Sequence, residues 1–98
     1  MSYMDELMDL DEAVREVAPE FVGRYRSSGV LTWALLHRIE SEIVDALAAS
    51  GHSRVALNMI RSARVMNYPR DDSPASFKGS ELMPIVFSEI ERAWNLVH

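Results

Sequence analysis

Four arginine side chains are concentrated in one stretch, GHSRVALNMIRSARVMNYPR, near the middle of the chain, and this stretch contains no acidic residue. A guanidinium group can form two parallel hydrogen bonds with a carboxylate or a phosphate, so arginine is suited to specific binding of either group. A helix formed by this stretch would present an arginine-rich outer face. The predicted partner-binding residues, for a protein or for DNA, are Arg54, Asn58, Arg61, Arg64 and Leu57.

A group of acidic residues near the N-terminus carries the opposite charge. Residues 1–20 hold seven acids and one arginine, for a net charge of −6, whereas residues 51–70 carry +4. One interpretation is that the two segments pair within the chain, where each exposed ion pair would contribute at most about 1 kcal/mol. The other is that the first helix binds a partner itself. The predicted acidic interaction helix carries Asp5, Asp9, Glu12 and Glu16.

The remaining candidates for chemistry do not form a catalytic or metal-binding pattern. The sequence has no cysteine, which excludes a thiolate nucleophile, a thiolate metal site and a disulfide. His37, His52 and His98 lack the spacing of metal ligands, and His37 is predicted to lie at the edge of the core. The serines have no neighbouring base, and no glycine-rich phosphate loop occurs. We therefore expect no enzyme activity, no catalytic residue, no cofactor and no metal.

Length and composition predict a folded domain. The chain has 98 residues, of which 48% are hydrophobic, which is enough for one buried core and too short for two. The N-terminus is acidic where a secretory signal would be basic, and no apolar run approaches the roughly 18 residues of a membrane span. We expect a cytoplasmic protein without membrane contact. The net charge of −5 disfavours generic binding to phosphate backbones.

Hydrophobic periodicity predicts helices throughout the chain. Pro19 and Pro69 are expected to end helices, Gly51 to cap one in a left-handed conformation and Ser53 to begin the next. The predicted fold class is all-α, a compact bundle of four to five helices in a single domain. The predicted helices cover residues 3–18, 19–28 (short), 30–50, 53–68 and 81–97, with a loop at 69–79.

The segment LAASGHSRVALNMIR resembles the turn of a helix-turn-helix motif, because a helix, a glycine and a capping serine precede a second helix with an outer face of arginine and asparagine. The resemblance covers about twenty residues and implies that residues 53–67 would enter the major groove of DNA, with Arg54, Asn58 and Arg61 at bases or phosphates. The sequence departs from the motif at Leu47, where a small residue is usual, and at His52, where an apolar one is usual.

The function that these features favour is a non-enzymatic helical regulator or inhibitor that binds another protein. Its contacts would come from the arginine-rich face, from the acidic N-terminal helix, or from both. We also expect a homodimer, because a small helical domain with wide apolar faces gains burial from a second subunit. The alternative function is a helix-turn-helix DNA-binding transcriptional regulator that uses residues 53–67 as its recognition helix.

Overall fold

Four α-helices form within the residues that the computed structural model describes, which are residues 3–61, 68–76 and 83–96, without the side chains of residues 3–7 and Met59. No strand forms in these ranges. The buried side chains of all four helices belong to one hydrophobic core, so the predicted compact, single-domain all-α fold is confirmed. The helices are α1 (Tyr3–Gly23), α2 (Trp33–Ala49), α3 (Arg54–Arg61) and α4 (Ile85–Leu96), with a 3-10 turn at Arg26–Ser28.

Helix α1 continues through Pro19, so the predicted break at residue 18 and the separate helix at 19–28 were wrong. Proline removes one backbone hydrogen bond from a helix interior. The residues that follow extend the apolar stripe of α1, and Phe21 and Val22 are both buried in the core. Burial of two such side chains contributes about 3 kcal/mol or more, which is enough to offset the local effect of the proline.

Helix α2 begins at Trp33, three residues later than predicted, because Thr32 caps it: the Thr32 hydroxyl accepts a hydrogen bond of 3.1 Å from the backbone N–H of Leu35. Its C-terminus is the predicted glycine cap. Gly51 has φ of +100°, and the backbone N–H groups of Gly51 and His52 donate to the carbonyls of Ala48 and Leu47. These are the two hydrogen bonds of a Schellman motif.

Helix α3 starts at Arg54, directly after Ser53, as predicted. The Ser53 hydroxyl accepts a hydrogen bond of 3.4 Å from the N–H of Ala56, and the Ser53 carbonyl accepts one of 2.9 Å from Leu57. The predicted end near residue 68 falls beyond the described part of α3, which runs to Arg61, and Tyr68 itself is not helical. The link between α2 and α3 is therefore only residues 50–53.

The segment 68–76 is irregular, as predicted for the loop at 69–79, of which residues 77–79 lie outside the described residues. This segment is hydrogen-bonded to the start of α2. The carbonyls of Ser73 and Asp71 accept hydrogen bonds of 3.0 and 2.8 Å from the backbone N–H groups of Trp33 and Ala34. The first turn of a helix leaves such donors unsatisfied, so this loop completes the N-terminus of α2. An isolated antiparallel bridge between Thr32 and Pro74, not expected from the sequence, lies beside these bonds.

Helix α4 begins at Ile85, later than the predicted start at 81, immediately after the buried Pro84. A proline at this boundary is tolerated because the first backbone donors of a helix have no intrahelical acceptor. Helices α1 and α4 form the most extensive contact among the helix pairs, and α1 and α2 each pack against all three others. In the described part of the chain, no helix combines the length and apolarity needed to cross a bilayer.

Candidate protein-binding surface

The outer face of α3 is exposed to solvent and is not covered by α1. Arg54, Val55 and Asn58 lie on this face, which we call the α3 face, and Val55 is 70% exposed. The capped turn at residues 50–53 fixes where α3 begins, and the helical period then turns these three side chains away from the core. The structure thus places Arg54 and Asn58 together, as predicted. It adds Val55, which was not among the predicted partner-binding residues.

Leu57 does not belong to the α3 face, contrary to the sequence-based prediction. Its side chain is 1% exposed and packs in the core with Ala56 and Ile60. The prediction treated Leu57 as flanking the outer face, but α3 contacts three other helices, so its buried arc is wide enough to include this position. Leu57 is therefore inaccessible to a partner in this structure.

Arg61 forms an ion pair within the chain and is not an unpaired charge of the outer face. Its Nε atom lies 2.9 Å from Oε1 of Glu40 on α2, and the Glu40 side chain is only 1% exposed. Neither carboxylate oxygen of Glu40 has a hydrogen bond of regular geometry among the described residues, so the ion pair with Arg61 is its main compensation there. Burial raises the pKa of Glu40, and the positive charges of Arg61 and Arg70 oppose that rise.

This ion pair corrects the expected pairing of the two charged segments for Arg61. The acidic partner of Arg61 is not on the acidic helix α1 but is Glu40, a buried residue of α2. The row Leu36–Glu40–Val44, spaced by four residues on α2, contained a usable signal, because residues four apart share a helix face and both neighbours are buried. Arg64, the fourth predicted arginine, lies outside the described residues.

The acidic residues of α1 form a stripe on the side opposite its buried face. Asp9, Glu12 and Glu16 are exposed, and none of them has an ion pair within the described residues. We call these three residues the α1 stripe. Met8, four residues before Glu12 and 67% exposed, adds an apolar side chain at its N-terminal end. The side chain of Asp5, the fourth predicted acid, lies outside the described residues.

A three-residue charge cluster joins α1 to α4, and sequence analysis did not predict it. Arg15 donates from Nη2 to Glu89 Oε2 at 3.1 Å and from Nε to both Glu89 oxygens at 3.3–3.4 Å. The same Nη2 lies 3.3 Å from Asp11 Oδ2. Glu89 lies in the row Val86–Glu89–Ala93 between buried residues, which again indicated burial.

Two carboxyl groups that share one guanidinium cannot both ionise freely. A hydrogen bond with Glu89, helped by burial and by the charge of Glu89, raises the pKa of Asp11 from 3.8 to about 6. Burial acts to raise the pKa of Glu89 as well, but hydrogen bonds from Asp11 and Arg15 outweigh it and hold that pKa below its usual value. At mildly acidic pH, Asp11 therefore carries the proton and Glu89 the charge.

Asp11→Asn is expected to stabilise the protein above pH 6 and to have little effect near pH 4. Between these values the folded state holds a proton on Asp11 that the unfolded state has lost, so the stability contributed by Asp11 falls as pH rises through about 6. The side chain is 35% exposed, so solvent screening limits the gain to about 1 kcal/mol. Urea unfolding at pH 4.5 and 7.5 measures it. Equal effects at both pH values would contradict the shared proton.

His37 is a core-edge imidazole, as predicted. Its ring is 7% exposed, and Nε2 lies 2.9 Å from the carbonyl oxygen of Pro69. Burial, with the nearby charges of Arg70 and Arg61, lowers its pKa and outweighs the hydrogen bond to Pro69. Within the described residues, no group of three or more histidine, aspartate or glutamate side chains is arranged to hold a metal ion.

The described residues form a small all-helical domain with two exposed helix surfaces of opposite charge, the α3 face and the α1 stripe. The model of a family described as protein of unknown function (DUF2471) matches residues 2–97, so the chain belongs to this family. No curated protein and no solved structure matches the chain.

Proposed function

We propose that the protein is a non-enzymatic regulator or inhibitor that binds another protein through the α3 face. The observation that carries this proposal is Val55, a β-branched apolar side chain 70% exposed between Arg54 and Asn58. Arginine is enriched at protein–protein contacts, and apolar area next to it excludes water from the contact. The proposed partner therefore presents a carboxylate next to an apolar patch.

The distribution of arginines also favours a protein partner over nucleic acid. Binding to a phosphate backbone requires several unpaired cations on one face. Within the described part of α3, Arg61 neutralises Glu40, which leaves Arg54 as the cation without an internal ion pair. We propose that the protein acts in the cytoplasm, in keeping with the absence of cysteine, and that the free protein is a homodimer.

Site-specific photo-crosslinking in the native host tests the protein-binding proposal. A photo-reactive residue at position 55 is expected to give one dominant adduct with a protein other than this chain, because the α3 face is held against the partner. Mass spectrometry separates this adduct from a crosslink between two copies of the chain. The matched control places the same residue at Leu96 on α4, which is 75% exposed and apolar but lies on a different helix. The captured partner, once purified, should bind the wild-type chain and bind Arg54→Glu at least about tenfold more weakly.

Two results would oppose the protein-binding proposal. Positions 55 and 96 could give the same adducts, which would mean that capture reflects exposure alone. Alternatively, the purified partner could bind Arg54→Glu as tightly as it binds the wild type, which would place the contact elsewhere on the molecule.

A DNA-binding regulator remains the second candidate, because one observation favours it. The link at residues 50–53 has a left-handed Gly51 and a capping Ser53, and α3 presents Arg54 and Asn58 outward, as a recognition helix does. DNA binding would retard a mixed-sequence duplex in a gel at about 50 mM salt and weaken steeply as salt rises. Arg54→Ala would then abolish binding, whereas absence of any retardation rejects this candidate.

A further inference from the structure

We propose that two copies of this chain associate through two identical contacts, in each of which the α3 face of one copy lies against the α1 stripe of the other. The inference rests on the proposed function, because it takes the α3 face as a binding surface. It adds a second copy of the chain as an occupant of that face. It also accounts for the α1 stripe, which makes no ion pair within the described ranges.

The two surfaces are complementary in charge and similar in construction. The α1 stripe presents Asp9, Glu12 and Glu16, with the exposed Met8 at one end. The α3 face presents Arg54 beside the exposed Val55. Each surface therefore combines unpaired charge of one sign with one apolar side chain, which is the pattern expected of two surfaces that bind each other.

The charges of these surfaces form no ion pairs among the residues that the structure describes. The arginine that α1 itself carries, Arg15, is bound to Asp11 and Glu89 on the flank facing α4. The arginine that ends the described part of α3, Arg61, is bound to Glu40 of α2. Arg54 and the α1 stripe thus remain as opposite charges without ion pairs in the described part of the chain. A second copy supplies both complements at once.

The packing of α1 against α3 is compatible with a closed twofold dimer. Helices α1 and α3 pack against each other in one chain, so each copy carries both surfaces on neighbouring helices. A twofold rotation then places α3 of each copy on α1 of the other, so the same contact is made twice. In this dimer the α3 face is covered, so a partner protein has to compete with the second copy for it.

Charge exchange between the two surfaces tests this geometry directly with the purified full chain. Arg54→Glu and Glu16→Arg each place like charges at both contacts of a homodimer, so each variant alone is expected to dissociate at least about tenfold more readily than the wild type. An equimolar mixture of the two variants restores opposite charges at both contacts. The mixture, and the double variant R54E/E16R, should therefore recover association.

Sedimentation equilibrium in about 50 mM and about 500 mM NaCl measures these associations, and wild-type dimers should weaken at the higher salt. Arg38→Glu, an exposed charge reversal on α2, serves as the matched control and should associate as the wild type does. Circular dichroism confirms that each variant is folded. The two positions are exposed, so their substitution should leave stability within about 0.5 kcal/mol.

Two outcomes would overturn the inference: a wild-type chain that stays monomeric at low salt, or a mixture of R54E and E16R that associates no better than either variant alone. Neither outcome touches the protein-binding proposal, which the crosslinking experiment decides separately. Conversely, recovery of association in the mixture would support the dimer even if no other protein is captured from the host.

Discussion

Replacing Arg61 with alanine is expected to lower the free energy of unfolding by about 3 kcal/mol at pH 7. The variant leaves the carboxylate of Glu40, 1% exposed, without the guanidinium that lies 2.9 Å from it. An uncompensated buried charge is strongly destabilising, so the folded variant must either keep the Glu40 carboxylate buried and ionised or protonate it. Urea unfolding monitored by circular dichroism measures the loss.

The pH dependence of this variant identifies the cause. The pKa of Glu40 is already raised by burial, and removal of Arg61 raises it further. In the folded variant, Glu40 therefore stays protonated to higher pH than in the unfolded chain, and the stability it contributes is lost as pH rises. The destabilisation by Arg61→Ala should thus be larger at pH 8 than at pH 5.

Two further variants serve as controls for the ion pair. Arg54→Ala removes an arginine from the same helix that lacks an internal ion pair, and it should change stability by no more than about 0.5 kcal/mol. Glu40→Gln removes the charge, so adding Arg61→Ala to it should cost little. If Arg61→Ala were as harmless as Arg54→Ala at both pH values, the buried pair would have no energetic role.

Phe87→Ala is expected to destabilise the protein by about 3–5 kcal/mol, because it empties a position that is 0% exposed. The Phe87 ring also makes edge contacts with His37 and Tyr68, at centroid distances of 5.2 and 5.5 Å. Its loss therefore loosens the loop that Tyr68 begins. Faster amide hydrogen exchange at Trp33 and Ala34, whose N–H groups donate to that loop, should accompany the lower unfolding midpoint.

The matched control for the core is Phe87→Leu, which keeps most of the apolar volume and should cost less than about 1.5 kcal/mol. Both variants are compared by urea unfolding at one pH, with the slope of the transition checked for two-state behaviour. Equal losses for alanine and leucine would show that the aromatic contacts, and not the filled volume, determine the stability at this position.

Helical periodicity was sufficient to predict the architecture, but not the ends of the helices. The caps at Gly51 and Ser53 were predicted because each depends on a few adjacent residues. Pro19 was misjudged because the decision there is tertiary: burial of Phe21 and Val22 against other helices keeps the chain helical beyond a residue that locally disfavours it. The cap at Thr32 was missed because Val30 and Leu31, which precede it, are also apolar and continue the apolar pattern of α2 toward the N-terminus.

The surface was only partly predictable for a related reason. The helical period places Arg54 and Asn58 outward whatever α3 packs against. The exposure of Val55 and the burial of Leu57 depend on which helices contact α3, and no local pattern in the sequence specifies them. The pairing of Arg61 with Glu40, like that of Arg15 with Glu89, joins residues from separate helices, so charge counts along the chain could not reveal it.

The loop that completes the start of α2 has a kinetic consequence. Trp33 and Ala34 donate to carbonyls of Ser73 and Asp71, which follow in the chain only after the whole of α2 and α3. Most contacts of a helical bundle are local and form within microseconds to milliseconds, whereas this junction must wait until a long loop has closed. We expect the first turn of α2 to order later in folding than the rest of that helix, whose backbone hydrogen bonds form within the helix.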